Sequence, residues 1–210
     1  MRDPYFFDDC DVLRNKLGIK DEETLERAEV DISCNAIYEI SISPLDGSYD
    51  FKHLCAFHGY IFKDIYDWAG YQRTVSIEKA EALLGHMSID YTSPNKIEIE
   101  ANAVLTKMVN IDWASLTLDE QAVHLTECLS ELWKIHPFRE GNTRTTITFV
   151  CQFAESQGMV IDRKLFERNA AYTRNALVAS SAVFADGDFR KMEYLYNIVK
   201  DGLKRGRKTN

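Results

Sequence analysis

Two long helical patterns meet at a short turn in the second half of the chain, and this junction limits the possible folds more than any other stretch. Residues 118–133 carry a broad apolar face, which is typical of a central and mostly buried helix. Pro137 disfavours the helical conformation at the residue before it, so this helix should end near His136. A partner helix over 145–156 is rich in β-branched residues, which indicates that burial rather than helix propensity stabilises it. We therefore expect a helical bundle built around the turn.

Helical periodicity also covers most of the remaining chain. Apolar residues recur at spacings of three or four from Asp21 onward, and the acidic residues of the first turn favour a helix start there. Ser93 and Pro94 are typical of the first residues of a helix. The expected helices outside the central pair cover residues 21–42, 50–68, 94–111 and 162–177, and a last stretch that begins at 187. The chain is thus predicted to be all-α, with about seven or eight helices.

Weaker patterns complete the prediction of the fold. Residues 72–77 and 86–91 alternate polar and apolar side chains, which favours a small β-hairpin that would have to rest on the helices. Residues 1–20 carry aromatic side chains without a sustained period, and we expect a docked N-terminal arm with about one helical turn. Residues 201–210 form a short basic tail, for which a frayed and solvated C-terminal end is favoured.

The overall composition fits one soluble domain. Of the 210 residues 45% are hydrophobic, which is enough to bury one sizeable core. A net charge of −8 argues against a dedicated nucleic-acid-binding protein. The five cysteines show no C-x-x-C spacing, which predicts buried free thiols in a reducing compartment rather than a metal site. No apolar run approaches the roughly 20 residues of a membrane-spanning helix, and the N-terminus has no signal-peptide core. We therefore expect a cytoplasmic protein with neither nucleic-acid nor membrane partners.

The turn 136–144 concentrates groups that can act on phosphates. His136 places an imidazole at a helix end facing a loop, where it can serve as a general base. Glu140 offers carboxylate oxygens of the kind that hold Mg²⁺. The first backbone N–H groups of the next helix, near Asn142 and Thr143, are suited to an anion. Together these groups predict a di- or triphosphate site beside a general base.

Two more residues of the turn support nucleotide binding. Gly141 lets the backbone turn where a side chain would clash with a ligand. Arg144 adds a permanent positive charge, and its planar guanidinium matches phosphate oxygens. The predicted nucleotide-binding residues are Arg139, Gly141, Asn142, Thr143 and Arg144.

The same turn resembles the signature of the Fic (filamentation induced by cAMP) family, His-Pro-Phe-x-Asp/Glu-Gly-Asn-Gly/Lys-Arg-x-x-Arg. Positions 136, 137, 138, 140, 141, 142 and 144 match this signature. The segment Asp67-Trp68-Ala69-Gly70 is also similar to the family's sequence before the flap. By the order of elements the resemblance covers roughly residues 15–200, and it implies a single all-α Fic domain with a β-hairpin flap.

The resemblance implies a protein AMP-transferase. Family members typically move AMP from ATP to a Ser, Thr or Tyr hydroxyl of a target protein, often including themselves, and they release pyrophosphate. ATP and Mg²⁺ are therefore the expected co-substrate and cofactor. By resemblance His136 accepts the hydroxyl proton, Glu140 holds Mg²⁺ between the α- and β-phosphates, and Arg144 stabilises the leaving pyrophosphate. The family's flap docks the target by adding a strand, a role that falls here on Thr74, Val75, Ser76 and Ile77.

Two departures from the signature leave the donor open. Thr143 stands where the family usually has Gly or Lys, and Ile147 replaces the second arginine, which is expected to bind the γ-phosphate. One alternative is the same fold with UTP, GTP or CDP-choline as donor. Others are a kinase-like or phosphocholine transferase and a non-catalytic helical module that only binds a nucleotide or phosphate.

The mode of regulation is open as well. The family's inhibitory motif is Ser/Thr-x-x-x-Glu-Gly/Asn, and the nearest match, Thr74-x-x-x-Glu78, is followed by Lys79, so we interpret it as chance. A separate antitoxin-like inhibitor, another route of regulation, or no inhibition at all are the alternatives.

Overall fold

Helices make up most of the molecule. The structure, a computed structural model, describes residues 3–184 and 187–208, and these residues contain eight α-helices and one two-stranded sheet. The helices are α1 (Glu22–Ile42), α2 (Phe51–Phe62), α3 (Ile97–Val109), α4 (Leu118–Ile135), α5 (Asn142–Ser156), α6 (Arg163–Arg168), α7 (Ala170–Ser180) and α8 (Glu193–Lys208). The strands are β1 (Val183–Phe184) and β2 (Gly187–Asp188), which pair antiparallel, and short 3-10 turns cover Ala82–Leu84, Pro94–Lys96 and Trp113–Ser115. The all-α prediction is confirmed. No helix of the described ranges is long and apolar enough to cross a membrane.

The central helix of the bundle is α4. Thr117 and Glu120 form a capping box that fixes its start. It contacts α3, α5, α7 and α8, and Leu132 and Trp133 near its end are fully buried. The broad apolar face seen in the sequence therefore reflects burial on several sides. His136, at the end of this helix, is buried as well.

The helix that leaves the turn, α5, runs back through the interior. Phe149 and Phe153 are fully buried, and each contributes about 1.5–3 kcal/mol relative to an exposed side chain. The hydroxyl of Thr145 donates to the carbonyl of Gly141 at 2.9 Å, and Thr148 donates to the carbonyl one turn before it at 2.7 Å. Burial and these local hydrogen bonds offset the low helix propensity of the β-branched residues.

The stretch 72–91, which we call the flap loop, contains no strand. The backbone N–H of Glu81 donates to the carbonyl of Met87 at 3.1 Å and closes a turn, but no ladder of backbone hydrogen bonds follows. The guanidinium of Arg73, rather than a partner strand, binds the carbonyl of Val75 at 2.8 Å. The hairpin predicted over 72–77 and 86–91 is therefore wrong at this position, and the two strands of the structure lie near the C-terminus, at β1 and β2.

Several helix boundaries also differ from the predicted ones. The second helix ends at Phe62, well before residue 68, because the chain enters a series of turns there. The helix predicted over 162–177 is divided into α6 and α7 at Asn169, whose ψ of 36° lies outside the helical range. The last helix begins at Glu193 rather than at the predicted start, because that start belongs to β2.

The N-terminal arm packs on the bundle without forming a helix. The backbone N–H of Lys16 donates to the carbonyl of Ile65 at 2.8 Å and ties the arm to the segment after α2. Docking of the arm thus agrees with the prediction, but over residues 3–20 the predicted helical turn is wrong. Residues 1–2 lie outside the described part of the chain.

The basic C-terminal residues belong to the bundle. They continue α8 as far as Lys208, and Gly206 is buried against the backbone of Val160. The prediction of a frayed and solvated tail is therefore wrong over 201–208, whereas residues 209–210 lie outside the described part.

The cysteines are free thiols of differing exposure. Cys128 and Cys151 are buried, Cys10 and Cys55 are partly buried, and Cys34 is exposed. Free thiols agree with the prediction from their spacing, but complete burial holds for only two of the five.

Candidate active site

His136 is the C-cap of α4 and has a left-handed backbone. Its φ of 51° and ψ of 60° lie in a region that few non-glycine residues adopt, although histidine is among the more tolerant ones. Ring nitrogen Nδ1 lies 3.3 Å from the carbonyl oxygen of Trp133, and Nε2 has no hydrogen-bond partner among the described residues. This geometry fits the tautomer in which Nδ1–H donates to Trp133. The lone pair of Nε2 is then available at the cavity that His136 lines.

The surroundings of His136 keep its imidazole neutral. The ring of Tyr91 packs on it with ring centres 4.2 Å apart, and the ring of Trp133 meets it edge-on at 5.1 Å. Burial lowers the pKa of His136 well below its usual value, and the positive charge of Lys79 lowers this pKa further. A neutral imidazole is the form that can accept a proton.

Glu140 carries an ionised carboxylate four residues after His136. Its Oε2 accepts a hydrogen bond from the ammonium of Lys79 at 2.8 Å, and its Oε1 accepts one from the backbone N–H of Gly141 at 2.9 Å. Burial by itself would raise the pKa of Glu140, but the Lys79 charge and these hydrogen bonds outweigh burial and lower the pKa to about 2. The side chain is therefore negatively charged at any physiological pH.

His58 supports this turn from behind. One ring nitrogen, Nε2, donates to the backbone carbonyl of Glu140 at 3.1 Å, and the other accepts from the backbone N–H of Gly70 at 2.8 Å. Its ring stacks on that of Phe138 at 3.9 Å, and burial lowers its pKa to about 3. His58 is a buried residue of α2, and nothing in its sequence spacing indicates contact with the turn.

The turn fits Mg²⁺ bound together with phosphates rather than by protein alone. Among the described residues no group of three or more His, Cys, Asp or Glu side chains could hold a metal. Mg²⁺ in nucleotide sites usually takes one or two carboxylates and completes its shell with phosphates and water. The carboxylate of Glu140 already attracts one cation, the ammonium of Lys79, on its cavity side. Glu140 would be the residue that holds Mg²⁺.

The start of α5 offers backbone N–H groups to the cavity. Gly141 has a φ of 78°, which favours glycine. A Cβ at this position would also lie 2.3 Å from the ring of Phe62, so the packing requires glycine as well. The side chain of Asn142 is used inside the turn, because it bonds both the N–H and the carbonyl of Phe138 at 2.8 and 2.7 Å. The hydroxyl of Thr143 accepts from the indole of Trp133 at 2.9 Å. The backbone N–H groups of Asn142 and Thr143, rather than their side chains, are therefore available to an anion at the helix start, whereas the N–H of Gly141 is bonded to Glu140.

Arg144 lines the cavity, but it is held by α1. Its guanidinium forms a short ion pair with the carboxylate of Glu29 and donates to the hydroxyl of Ser33 at 2.7 Å. Glu29 is only 6% exposed and also accepts from the hydroxyl of Tyr66. The charge of Arg144 is thus balanced within the protein. The pairing of Arg144 with Glu29 was not predicted.

Arg139 and part of the flap loop are engaged by the N-terminal arm. The guanidinium of Arg139 donates to Asp3 at 2.9 Å and lies over the ring of Phe6 at 5.1 Å, so the structure brings this predicted nucleotide-binding residue to the arm. The backbone N–H of Thr74 donates to the hydroxyl of Tyr5 at 3.0 Å. Along the predicted docking segment, Thr74 and Ser76 are exposed, whereas Val75 and Ile77 are half-buried.

A buried arginine, Arg73, joins the flap loop to the turn 136–144. Arg73 is 1% exposed, and its guanidinium donates to the carbonyls of His136 at 2.8 Å and Ile135 at 3.4 Å. It also donates to the carbonyls of Val75 and Thr92, at the two ends of the loop. Arg73 was not predicted as part of the site, because its only signal in the sequence is an arginine inside an alternating pattern.

One large cavity connects these groups. Its volume is about 1330 Å³, which exceeds the roughly 300–1000 Å³ of common ligand pockets. Residues of α1, α6 and α7 line it together with the turn and Lys79. Ile147 contributes an apolar surface at the place where the family signature has its second arginine.

Comparison with known proteins decides the family. The model of the Fic/DOC family matches residues 48–154, which include the whole turn. The chain belongs to this family. It is similar to protein adenylyltransferase VbhT of Bartonella schoenbuchensis, with 32% identity over 79% of the chain and 34% of that protein. It is also similar to the probable protein adenylyltransferase y4lH of Sinorhizobium fredii, with 31% identity over 80% of the chain and 83% of that protein. The chain thus spans about a third of the length of VbhT but most of y4lH.

Solved Fic structures share the architecture. The BepC protein of Bartonella tribocorum, solved with bound AMPPNP, has a TM-score of 0.78 and 18% identity over 94% of this chain and 95% of its own. The Fic domain of Bep8 from Bartonella sp. 1-1C has a TM-score of 0.77 and 19% identity over 95% of this chain and 94% of its own. At these identities the similarity supports the Fic fold alone.

Proposed function

We propose that this Fic domain transfers AMP from ATP to the hydroxyl of a Ser, Thr or Tyr side chain on a target protein, and on itself. One observation carries the proposal: the unpartnered Nε2 of His136 and the ionised carboxylate of Glu140 line the same end of a cavity that can hold a nucleotide. Relatives named as protein adenylyltransferases and a neighbour solved with AMPPNP support the same reaction and donor.

The reaction consists of one proton transfer and one displacement at phosphorus. The attacking hydroxyl gives its proton to Nε2 of His136 while its oxygen bonds to the α-phosphorus. The bond from the α-phosphorus to the bridging oxygen breaks, and pyrophosphate leaves with that electron pair. Backbone N–H groups at the start of α5 stabilise the negative charge on the phosphates. Mg²⁺ held by Glu140 would supply further positive charge to the phosphates.

Intact mass of the purified chain tests this function. After incubation with ATP and Mg²⁺, the wild type should gain the mass of AMP, and α-³²P-ATP should label it. His136→Ala should gain none while its melting temperature stays close to that of the wild type. His124→Ala, a half-exposed histidine on α4, is the matched control and should react normally. Labelling of His136→Ala at the wild-type rate would contradict the assignment of the base.

The same measurement decides between donors. The engagement of Arg144 by Glu29 and the apolar Ile147 favour a second candidate, in which the site takes UTP, GTP or CDP-choline or binds a nucleotide without turning it over. Each donor leaves an adduct of different mass. Binding of ATP without any adduct on the chain or on added proteins would favour the non-catalytic module.

For regulation, we propose a separate antitoxin-like inhibitor, with another route of regulation or no inhibition as the alternatives. Strong self-modification of the chain purified alone would favour an enzyme that is either uninhibited or inhibited by a partner. A cytoplasmic site of action fits the free thiols and the supply of ATP.

A further inference from the structure

Few positive charges near the catalytic turn are free to meet a nucleotide. Arg144 is balanced by the buried carboxylate of Glu29, and Ile147 is apolar. Lys79 lies at the same end of the cavity, on the flap loop, and its side chain is 22% exposed. Its ammonium is 2.8 Å from Oε2 of Glu140.

The contact between Lys79 and Glu140 is incompatible with a metal on the same oxygen. Mg²⁺ requires a carboxylate oxygen at about 2.1 Å, and an ammonium hydrogen-bonded to that oxygen would be strongly repelled by the ion. The other oxygen of Glu140 is occupied by the N–H of Gly141. A metal on Glu140 therefore displaces the ammonium, which stays tethered beside it by the flap loop.

We infer that Lys79 is a phosphate-binding residue of this Fic domain. When the metal-bound triphosphate occupies Glu140, the displaced ammonium donates to phosphate oxygens beside the ion and supplies the charge that Ile147 lacks. A lysine suits this role, because its ammonium is a compact charge on a flexible stem that can change partners over a short distance. The inference rests on the proposed function, since it assumes that the ligand is a nucleoside triphosphate.

Calorimetric binding of a non-cleavable analogue tests the inference apart from catalysis. The ligands are α,β-methylene-ATP with Mg²⁺ and, as a probe without phosphates, adenosine. Lys79→Met should bind the ATP analogue about tenfold more weakly than the wild type and adenosine equally well, since one charge-assisted hydrogen bond is lost. Lys79→Arg, which keeps a positive charge, should stay within about threefold. Lys52→Met, at an exposed lysine on α2 outside this cavity, should leave both affinities unchanged.

Two results would overturn the role of Lys79. If Lys79→Met bound the analogue as tightly as the wild type, or more tightly, the lysine would be only a competitor of the metal. Equal losses for the analogue and adenosine would likewise refute a phosphate contact. Because the analogue is not cleaved, the absence of AMP transfer by the wild type refutes the proposed function without altering this comparison.

Discussion

His136 is buried between the rings of Tyr91 and Trp133, close to the ammonium of Lys79. Burial and the ammonium charge both disfavour a second proton on its imidazole. In the proposed reaction, the ring nitrogen that accepts the substrate proton is therefore already unprotonated. Its other nitrogen is oriented by the carbonyl of Trp133. The side chain thus has the correct tautomer and charge state before any substrate arrives.

The acid limb of the pH–rate profile reports this environment. Since the reaction needs neutral His136 and its pKa is lowered, activity should stay constant from about pH 8 down to about pH 6.5, the usual histidine pKa, and should fall only at lower pH. Single-turnover label transfer from α-³²P-ATP at saturating Mg²⁺ measures the profile. A half-maximal rate at or above pH 6.5 would show that the imidazole is not shielded.

Stability has the same sign of pH dependence. Burial keeps the folded-state pKa of His58 at about 3 and that of His136 well below the usual value. Below about pH 6.5 the unfolded chain therefore binds protons that the folded chain does not, and stability decreases as the pH falls.

At the scale of single residues, the sequence carried the chemistry but not the partners. The types and order of His136, Glu140 and Gly141 are enough to predict a base, a metal carboxylate and a turn. The pairing of Arg144 with Glu29 joins positions 115 apart in the chain, and no local pattern identifies Arg144 as the partner. The sequence indicates only that a polar partner is needed, because Glu29 and Ser33 lie at helical spacing on the buried stripe of α1.

Among the elements, the flap loop shows how side chains can replace a sheet. Each end of this loop is fixed by the guanidinium of Arg73, which also binds the last carbonyls of α4. The alternation in its sequence predicted strands, because the backbone groups of such a segment normally form hydrogen bonds with a neighbouring strand. Here an arginine and the N-terminal arm take up part of the backbone hydrogen bonding, and these long-range contacts leave no periodic trace in the sequence.

Replacement of Arg73 should loosen the loop and the turn together. Arg73→Met leaves several buried carbonyls without donors, which should cost about 2–4 kcal/mol of unfolding free energy. Hydrogen exchange should accelerate at both the flap loop and residues 135–137. Arg190→Lys, at a half-exposed ion pair with Asp188, serves as the control and should cost less than about 0.5 kcal/mol.

Denaturant unfolding and hydrogen exchange read by mass spectrometry measure both effects. If exchange accelerated in the flap loop alone, Arg73 would be a support of the loop and not its link to His136. Unchanged stability of Arg73→Met would mean that water replaces the lost donors.

Across the whole molecule, the bundle is closed by α8, whose last turns pack on the segment between α5 and α6. The backbone N–H of Asp162 donates to the carbonyl of Gly202 at 3.0 Å, and Leu203 is 1% exposed. The periodicity of the chain predicted the all-α fold class and nearly all helices correctly, because the spacing of apolar residues in an amphipathic helix is visible in the local sequence. The prediction for the C-terminal residues was wrong because their charge pattern resembles that of a solvated tail. Small buried residues between the charges, such as Gly206, pack on the segment between α5 and α6.

This contact predicts an unusual response to alanine. Alanine normally stabilises a helix relative to glycine, but a Cβ at position 206 would lie 2.2 Å from the carbonyl oxygen of Val160. Gly206→Ala should therefore lower the unfolding free energy by about 1–3 kcal/mol. Gly202→Ala, in the same helix with its nearest neighbour at 3.3 Å, should be neutral or slightly stabilising. Thermal melts of the two variants compare them directly, and equal melting temperatures would show that the end of α8 does not pack as described.

The left-handed backbone of His136 also governs which inactive variant an experimenter should choose. Alanine removes the imidazole and also disfavours positive φ somewhat more than histidine does, which is a small cost at the end of α4. Asparagine tolerates this conformation and lacks a group that could take a proton at neutral pH. His136→Asn therefore separates loss of the base from relaxation of the turn, and it is the better inert form for trapping a bound nucleotide or a target protein.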